Sequence, residues 1–316
     1  MKYLDYNIRR VLKDDFEGVT KLFNSVFKKT MKADELIRKY STNSFGEEFV
    51  AFIAEYNGEI VSFYGSIPHY LVNEKGVKFW VAQSSDAMTN GDHLRKGLFL
   101  ELAKQNFDFC KEIGIQLIYG FPNMNSKPGF VNKLNWEFTN DMQEKIIDTG
   151  SYPFIFLKRK LPFLKSIIEN YQLKKFNSLK VKPYPFKSAN LKKGQLGVNK
   201  DEAYLSYKLN HKDAFFVKIA GKLLWLKFNE MYVLVGDLED CPKEEFNQVI
   251  KGLKRLAKKI GIPHLRFNIS GGSKLDEYLS EYSNQNKNKY SVGGIRFTNE
   301  IEFSDCKFTM ADNDTF

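Results

Sequence analysis

The chain has 316 residues, 43% of them hydrophobic and 15% aromatic, and carries a net charge of +10. This is enough apolar material for one large core or two smaller ones, yet no run approaches the roughly 20 apolar residues of a membrane span. MKYLDYNIRR lacks the apolar stretch of a secretory signal, and Cys110, Cys241, Cys306 and the four scattered histidines offer neither a pairing framework nor metal-ligand spacing. A soluble, reduced, cytoplasmic protein without a metal is expected.

A strand is predicted from Tyr6 to Val11, followed by helices over Lys13 to Phe27 and Asp34 to Tyr40. Next come two β runs, Phe49 to Tyr56 and Glu59 to Ile67, joined by Asn57-Gly58, a pair favoured in two-residue hairpins because both positions accept positive φ. A strand from Val77 to Met88 leads into NGDHLRKGLFLEL, where a polar run stops at Gly97 and a helical apolar pattern runs to Ile113. The strand Leu117 to Phe121, a short helix Pro128 to Leu134 and a strand from Trp136 complete this half.

Between Lys158 and Lys193 stand eleven Lys or Arg against one acid, Glu169, a balance equal to the whole net charge. With Pro162, Pro183 and Pro185 the segment reads as a basic linker whose middle has helical apolar spacing. It would cover a domain junction, attract an anionic substrate or touch an acidic membrane surface.

The second half repeats the order: strand Met231 to Val235, helix Lys243 to Ile260, strand Leu265 to Ile269, and another near Ile295. KEIGIQLIYGFPN and KKIGIPHLRFNIS each place a helix-ending Gly before a buried strand, which suggests an internal duplication. The expected division is residues 1–150, a basic linker at 151–200, and 201–316.

A helix N-terminus with open amides is an anion site, and Arg95 and Lys96 precede Gly97, where backbone can approach a ligand. The corresponding stretch of the second half, GDLEDCPKEEF, is acidic and would repel a phosphate group, so one anion site is expected.

SDAMT at a strand end, DHLRKGLF, a helix, LIYGFPNMNS and PGFVNKLNW together resemble the GNAT acyl-CoA N-acyltransferases over roughly Ile8 to Phe138. Within that superfamily the chain is similar to the two-domain N-acetyltransferases that act on nucleotide-linked sugars (dTDP-3-amino-3,6-dideoxyhexose-like) of bacterial polysaccharide pathways. The resemblance implies an α/β (α+β) GNAT fold, a mixed central sheet flanked by helices, with a second, degenerate GNAT-like half for the acceptor or for structure. It also implies acetyl-CoA as donor. The amides of Leu94, Arg95, Lys96, Gly97, Leu98 and Phe99 would hold the pyrophosphate; Ala87, Met88 and Thr89 would pair with the pantetheine; Asn123 and Asn125 would bind the other side of that arm. The chain departs from the R/Q-x-x-G-x-G/A loop at Leu94 and Phe99, and Val131 stands where a general-acid Tyr is common.

For the chemistry, alternation on the strand puts Ser84, Asp86 and Met88 on one face unless a bulge intervenes. Asp86 is then the first candidate to bind or deprotonate the acceptor amine, Ser84 a substrate contact, and His69 a second candidate base. Tyr207, Lys208 and Trp225 are placed on second-half strands, the first two as substrate contacts. The C-terminal FTMADNDTF would fray by default or dock through Asp312 and Asp314.

The leading expectation is acetyl transfer to the amine of a nucleotide-linked amino deoxysugar, a small-molecule acceptor, with no nucleic-acid partner. An aminoacyl-tRNA-dependent peptidoglycan transferase of tandem-GNAT type and an inert GNAT-like binding protein are the alternatives.

Overall fold

The computed structural model describes residues 5–123, 126–209, 215–283 and 287–316. In chain order its elements are β1 (Asn7–Arg10), α1 (Phe16–Phe27), α2 (Ala33–Tyr40), β2 (Ala51–Tyr56), β3 (Glu59–Val72), β4 (Lys78–Thr89), α3 (Leu98–Glu112), β5 (Leu117–Gly120), α4 (Lys127–Lys133) and β6 (Glu137–Asp148). There follow α5 (Phe154–Lys160), α6 (Lys165–Asn177), β7 (Gly197–Val198), α7 (Glu202–Lys208), β8 (Phe215–Ile219), β9 (Lys222–Phe228) and β10 (Tyr232–Leu238). The last are α8 (Lys243–Lys259), β11 (His264–Ser270), α9 (Lys274–Ser280) and β12 (Lys287–Arg296). Among the described residues no helix is long and apolar enough to cross a membrane, and no group of three or more His, Cys, Asp or Glu is arranged to hold a metal ion.

The chain divides into two compact units, and neither is continuous in sequence. The first comprises residues up to Val72, Val77–Thr139 and Ser291–Ser304; the second comprises Asn73–Gly76, Asn140–Tyr290 and Asp305–Phe316. Positions 150 and 200, the expected boundaries, both fall inside the second unit.

In the first unit the strand order is β1-β2-β3-β4-β5-β12. The β2–β3 turn forms as its sequence requires, with φ of 50° at Asn57 and 81° at Gly58. α3 returns the chain from β4 to β5, which pair in parallel at Val81–Gln83 with Leu117–Tyr119. Leu98, Leu102, Ala103, Phe107 and Cys110 fall on one helical stripe and pack against Tyr64, Ala82 and Ile118, together with Phe130 and Trp136. A buried Asn106 pins the helix to the sheet, accepting from Ser66 Oγ at 2.6 Å and donating to the Val50 carbonyl at 3.1 Å. The other face carries α1 and α2, where the Tyr40 ring stands edge-on to Phe63 at 5.3 Å.

The strand near Ile295, expected to belong to the second half, instead joins the first unit: Gly293–Arg296 pairs antiparallel with Leu117–Gly120. The strand from Trp136 does the converse, Met142–Asp148 pairing with His264–Ser270 of the second unit.

The second unit has the order β6-β11-β10-β9-β8, with α8 returning the chain between the parallel strands β10 and β11. The order of hairpin, third strand, helix and parallel strand is therefore that of β2 to β5. Its core gathers Val217, Leu224, Val235, Phe246, Leu253 and Phe267. Two placements from the sequence are corrected here. Tyr207 and Lys208 lie in a helix, α7, because the Asp201 carboxylate caps it by accepting from Tyr204 N at 3.0 Å. The C-terminal segment is packed rather than frayed: Phe308 and Ala311 are fully buried, and so nearly is Phe316.

Candidate functional site

Two irregularities in β4 mark the candidate site. The first lies against β3. Gly65 pairs with Ser85 and Phe63 with Met88, so Asp86 and Ala87 together face the single residue Tyr64, a bulge that leaves Asp86 with φ of 49°. The second lies against β5. Their pairing ends at Gln83 and Tyr119, while β4 runs on to Thr89. β5 itself ends at Gly120, so among the described residues the edge of Ala87, Met88 and Thr89 that faces away from β3 has no strand beside it.

Beyond β4 the chain makes a short turn capped by Asn90, whose Oδ1 accepts from Asp92 N at 3.1 Å. It then passes through two left-handed residues, Arg95 with φ of 62° and Gly97 with φ of 85°, before α3 begins. Such alternation turns successive amides to one side. Among the described residues the amides of Arg95 to Phe99 meet no protein acceptor, the first helical bonds being those of Leu100 and Glu101 to the Gly97 carbonyl. Arg95 and Lys96 are exposed beside them, so open donors, the helix dipole and two cations converge where an anion can be held.

The departures from the familiar loop have a structural explanation. Leu94 is 56% exposed and extended, so its side chain takes no part in the amide array. Phe99 turns inward, its ring edge-on to Phe130 at 5.3 Å and 6.0 Å from Tyr64. Gly129 admits it: a Cβ there would lie 3.0 Å from Phe99 Cε1. The larger side chain is absorbed by the core, and the amide face is left clear.

The bulge separates Ser84 from Asp86, correcting the expectation that they share a face. Ser84 Oγ hydrogen-bonds Tyr64 Oη at 2.6 Å on the α3 side, and burial pushes the Tyr64 phenol up, so it stays protonated. Asp86 turns to the α2 side, where its Oδ2 accepts from Lys39 Nζ at 2.7 Å and from Tyr40 Oη at 2.9 Å. Oδ1 of Asp86 has no protein donor among the described residues and can accept one from a ligand. Lys39 and Tyr40 were missed from the sequence because nothing local ties the end of α2 to a strand 46 residues away.

His69 does not join Asp86. It is 2% exposed and pairs across the sheet with Val81, roughly 13 Å from the bulge along the strand. Its Nδ1 lies 3.0 Å from the Ile67 carbonyl, which can only accept, so Nδ1 carries the proton and Nε2 accepts from Tyr119 Oη at 2.8 Å. His69 thus orients Tyr119 at the end of the β4–β5 pairing.

Asn123 lies in the turn before α4: its Oδ1 accepts from Ser126 N at 3.0 Å and its carbonyl from Lys127 N at 3.0 Å. Asn125 lies outside the described residues. Val131 is 42% exposed on α4 and offers no acid. Tyr207 and Lys208 are in the second unit, where Lys208 Nζ donates to the Asn313 carbonyl at 2.7 Å and lies 5.9 Å from the Trp225 ring centroid, a structural use.

At the corresponding place in the second unit both strands run on past their last pair, and the space beside them is filled. β10 and β11 pair only from Tyr232–His264 to Val235–Phe267. β11 keeps β6 on one edge as far as Ser270, so the bridge of Thr309 to Ile269 occupies the edge facing β10. There Phe316 covers Gly236, where a Cβ would lie 2.4 Å from Phe316 Cε1. Asp312 meets Lys200, which also meets Asp237 of β10, both at 2.7 Å. The chain's own C-terminal segment sits where a ligand arm would have to enter.

A model of the acetyltransferase (GNAT) domain matches residues 7–139. The fold is similar to a GCN5-related N-acetyltransferase from Kribbella flavida, with TM-score 0.61 and 9% identity over 92% of this chain and 70% of that one. A GCN5-related N-acetyltransferase from Anabaena variabilis ATCC 29413 gives 0.61 and 8% over 92% and 72%. A conserved protein from Enterococcus faecalis V583, described as a probable N-acyltransferase, gives 0.60 and 13% over 92% and 72%. No curated protein matches the chain at a significant level.

Proposed function

We propose, from the premise that residues 7–139 are an acetyltransferase (GNAT) domain with acetyl-CoA as its donor, that the protein acetylates the amine of a nucleotide-linked amino deoxysugar. The observation that carries the reading is the edge of β4 left without a strand partner beyond the end of β5 at Gly120, flanked by the Asp86 bulge and the open amides before α3.

Acetyl-CoA supplies a thioester whose acetyl group passes to nitrogen. The amides from Arg95 to Phe99 hold the pyrophosphate, and the backbone of Ala87, Met88 and Thr89 pairs with the pantetheine as an added strand would. Asp86 Oδ1 receives an N–H of the acceptor amine, while Lys39 and Tyr40 fix the carboxylate through Oδ2. An amino-sugar amine, whose neighbouring C–O bonds withdraw charge, sheds its proton more readily than a lysine at ~10.4. It therefore asks little of a protein base, which suits a site whose described residues place one carboxylate and no accessible His at the bulge. A second acyl-CoA is not accommodated, because the corresponding slot of the second unit is filled by residues 305–316.

Free-thiol release from acetyl-CoA, followed across a panel of nucleotide-linked 3-amino- and 4-amino-6-deoxysugars, tests the reading. Turnover with one panel member supports it. Turnover only with a peptide or aminoglycoside amine rejects the acceptor class, and failure to bind coenzyme A rejects the site. Asp86→Asn is expected to lower kcat/KM about 100-fold while coenzyme A affinity is unchanged. Wild-type kcat/KM across the pH range in that variant would remove Asp86 from the mechanism.

A further inference from the structure

The second unit carries a surface that acetyl transfer does not use. Of the fifteen large apolar side chains exposed among the described residues, eight lie from Tyr152 to Leu179, on α5, α6, the turn joining them and the residues flanking them. Phe163 is 72% exposed, Ile167 62% and Tyr152 61%. Isolated exposed apolar residues are ordinary, but a cluster marks an interaction surface.

The helix underneath is firmly seated, so the exposure is not that of a loose end. α6 buries one line at i, i+4 and i+8, Ile168, Gln172 and Phe176. Gln172 Nε2 donates to the Ile260 carbonyl at 2.6 Å, and the Phe176 ring stacks on Phe228 at 4.0 Å. That single line leaves Ile167, Tyr171 and Lys174, at i, i+4 and i+7, sharing an outward stripe.

The same segment is basic. Arg159, Lys160, Lys165, Lys174 and Lys175 are exposed, and Lys258 and Lys259 end the helix α8, whose Lys259 carbonyl accepts from Tyr171 Oη at 3.2 Å. The one acid, Glu169, faces Lys158 at 3.5 Å. Exposed Phe, Ile and Tyr ringed by Lys and Arg is the composition that settles into the headgroup region of an anionic bilayer.

We infer that α5–α6 is a docking surface for anionic lipid, holding the enzyme at the face of a negatively charged membrane. Charge complementarity selects this occupant. A second copy would bring the same cationic patch against itself about a two-fold axis, a like-charge juxtaposition that opposes pairing. A single-stranded nucleic acid would find cations and rings to stack on, but it would leave the interleaved Leu161, Ile167, Leu173 and Leu179 in water, whereas a lipid interface buries these aliphatic side chains along with the rings.

The test is flotation of the full-length protein with vesicles of phosphatidylcholine alone or with 30% phosphatidylglycerol. The protein is expected to float with the anionic vesicles only and to be released as salt rises. Each cation removed should weaken binding about fivefold, so Arg159→Gln/Lys160→Gln/Lys165→Gln should lose roughly 100-fold. Phe163→Ser/Ile167→Ser should lose at least about tenfold with circular dichroism and coenzyme A binding unchanged. Absence from both vesicle types, or flotation that neither variant weakens, overturns the inference. So does a concentration-dependent dimer, or binding of a short RNA, that Phe163→Ser/Ile167→Ser abolishes.

Discussion

Lys200→Met is expected to destabilise the protein by about 3–5 kcal/mol, because it leaves two buried carboxylates without their cation. Lys200, Asp237 and Asp312 are each about 1% exposed or less at the side chain. The remaining carboxylate oxygens are occupied: Asp237 Oδ1 accepts from Ser188 Oγ at 2.7 Å and Leu238 N at 2.8 Å, and Asp312 Oδ2 from Thr309 N at 2.7 Å. Burial works against the Lys200 ammonium, but the two carboxylates outweigh it and raise its pKa, whereas burial raises that of Asp237. Asp312→Asn should cost less, about 1–3 kcal/mol, since a one-to-one Lys200–Asp237 pair survives while one buried donor at Asp312 loses its acceptor.

The two variants should differ in pH dependence as well as in size. Without Lys200 the Asp237 carboxylate, whose pKa burial already raises, favours a proton that the unfolded chain, with carboxylates at ~3.9, has lost by neutral pH. The native state then binds more protons than the unfolded one, so stability falls as pH rises. Urea unfolding of Lys200→Met should have its midpoint higher at pH 5.5 than at pH 8. A wild-type midpoint at both would show that the triad does not hold the C-terminal segment.

The second large effect concerns the amide array. Gly97→Asp should weaken coenzyme A binding roughly 30- to 100-fold, combining a left-handed φ that costs an L-residue about 1–2 kcal/mol with a negative charge at the helix N-terminus facing a pyrophosphate. Gly97→Ala keeps the strain and omits the charge, so it should fall between the variant and wild type. Calorimetric titration with coenzyme A distinguishes the three. Equal affinities would place the pyrophosphate elsewhere.

What could be read from the sequence was set by local chemistry. Asn57-Gly58 dictates its own turn, the stripe from Leu98 to Cys110 dictates the buried face of α3, and Gly97 marks its start. α7 was equally legible and was missed: Asp201 followed by EAYLSYK is a capped helix, yet its aromatics invite a strand. What could not be read depended on partners remote in sequence. The bulge that parts Ser84 from Asp86 is a register shift against β3, and the capture of Asp86 by Lys39 and Tyr40 is decided across the sheet. The tail that looked frayed is held by Lys200, 112 residues away.

The exchange of strands bears on how the chain can be assembled. β5 gains its outer neighbour only when Gly293–Arg296 has been synthesised. On the ribosome the acetyltransferase portion therefore waits, its sheet ending in an unpaired edge, until most of the second unit has emerged. Such an edge is a template for pairing with another chain. A fragment cut at residue 139, where the family match ends, would keep every proposed cofactor contact and still lack a complete sheet. It is expected to aggregate where the intact chain does not, and adding residues 287–304 as a separate peptide should suppress that aggregation.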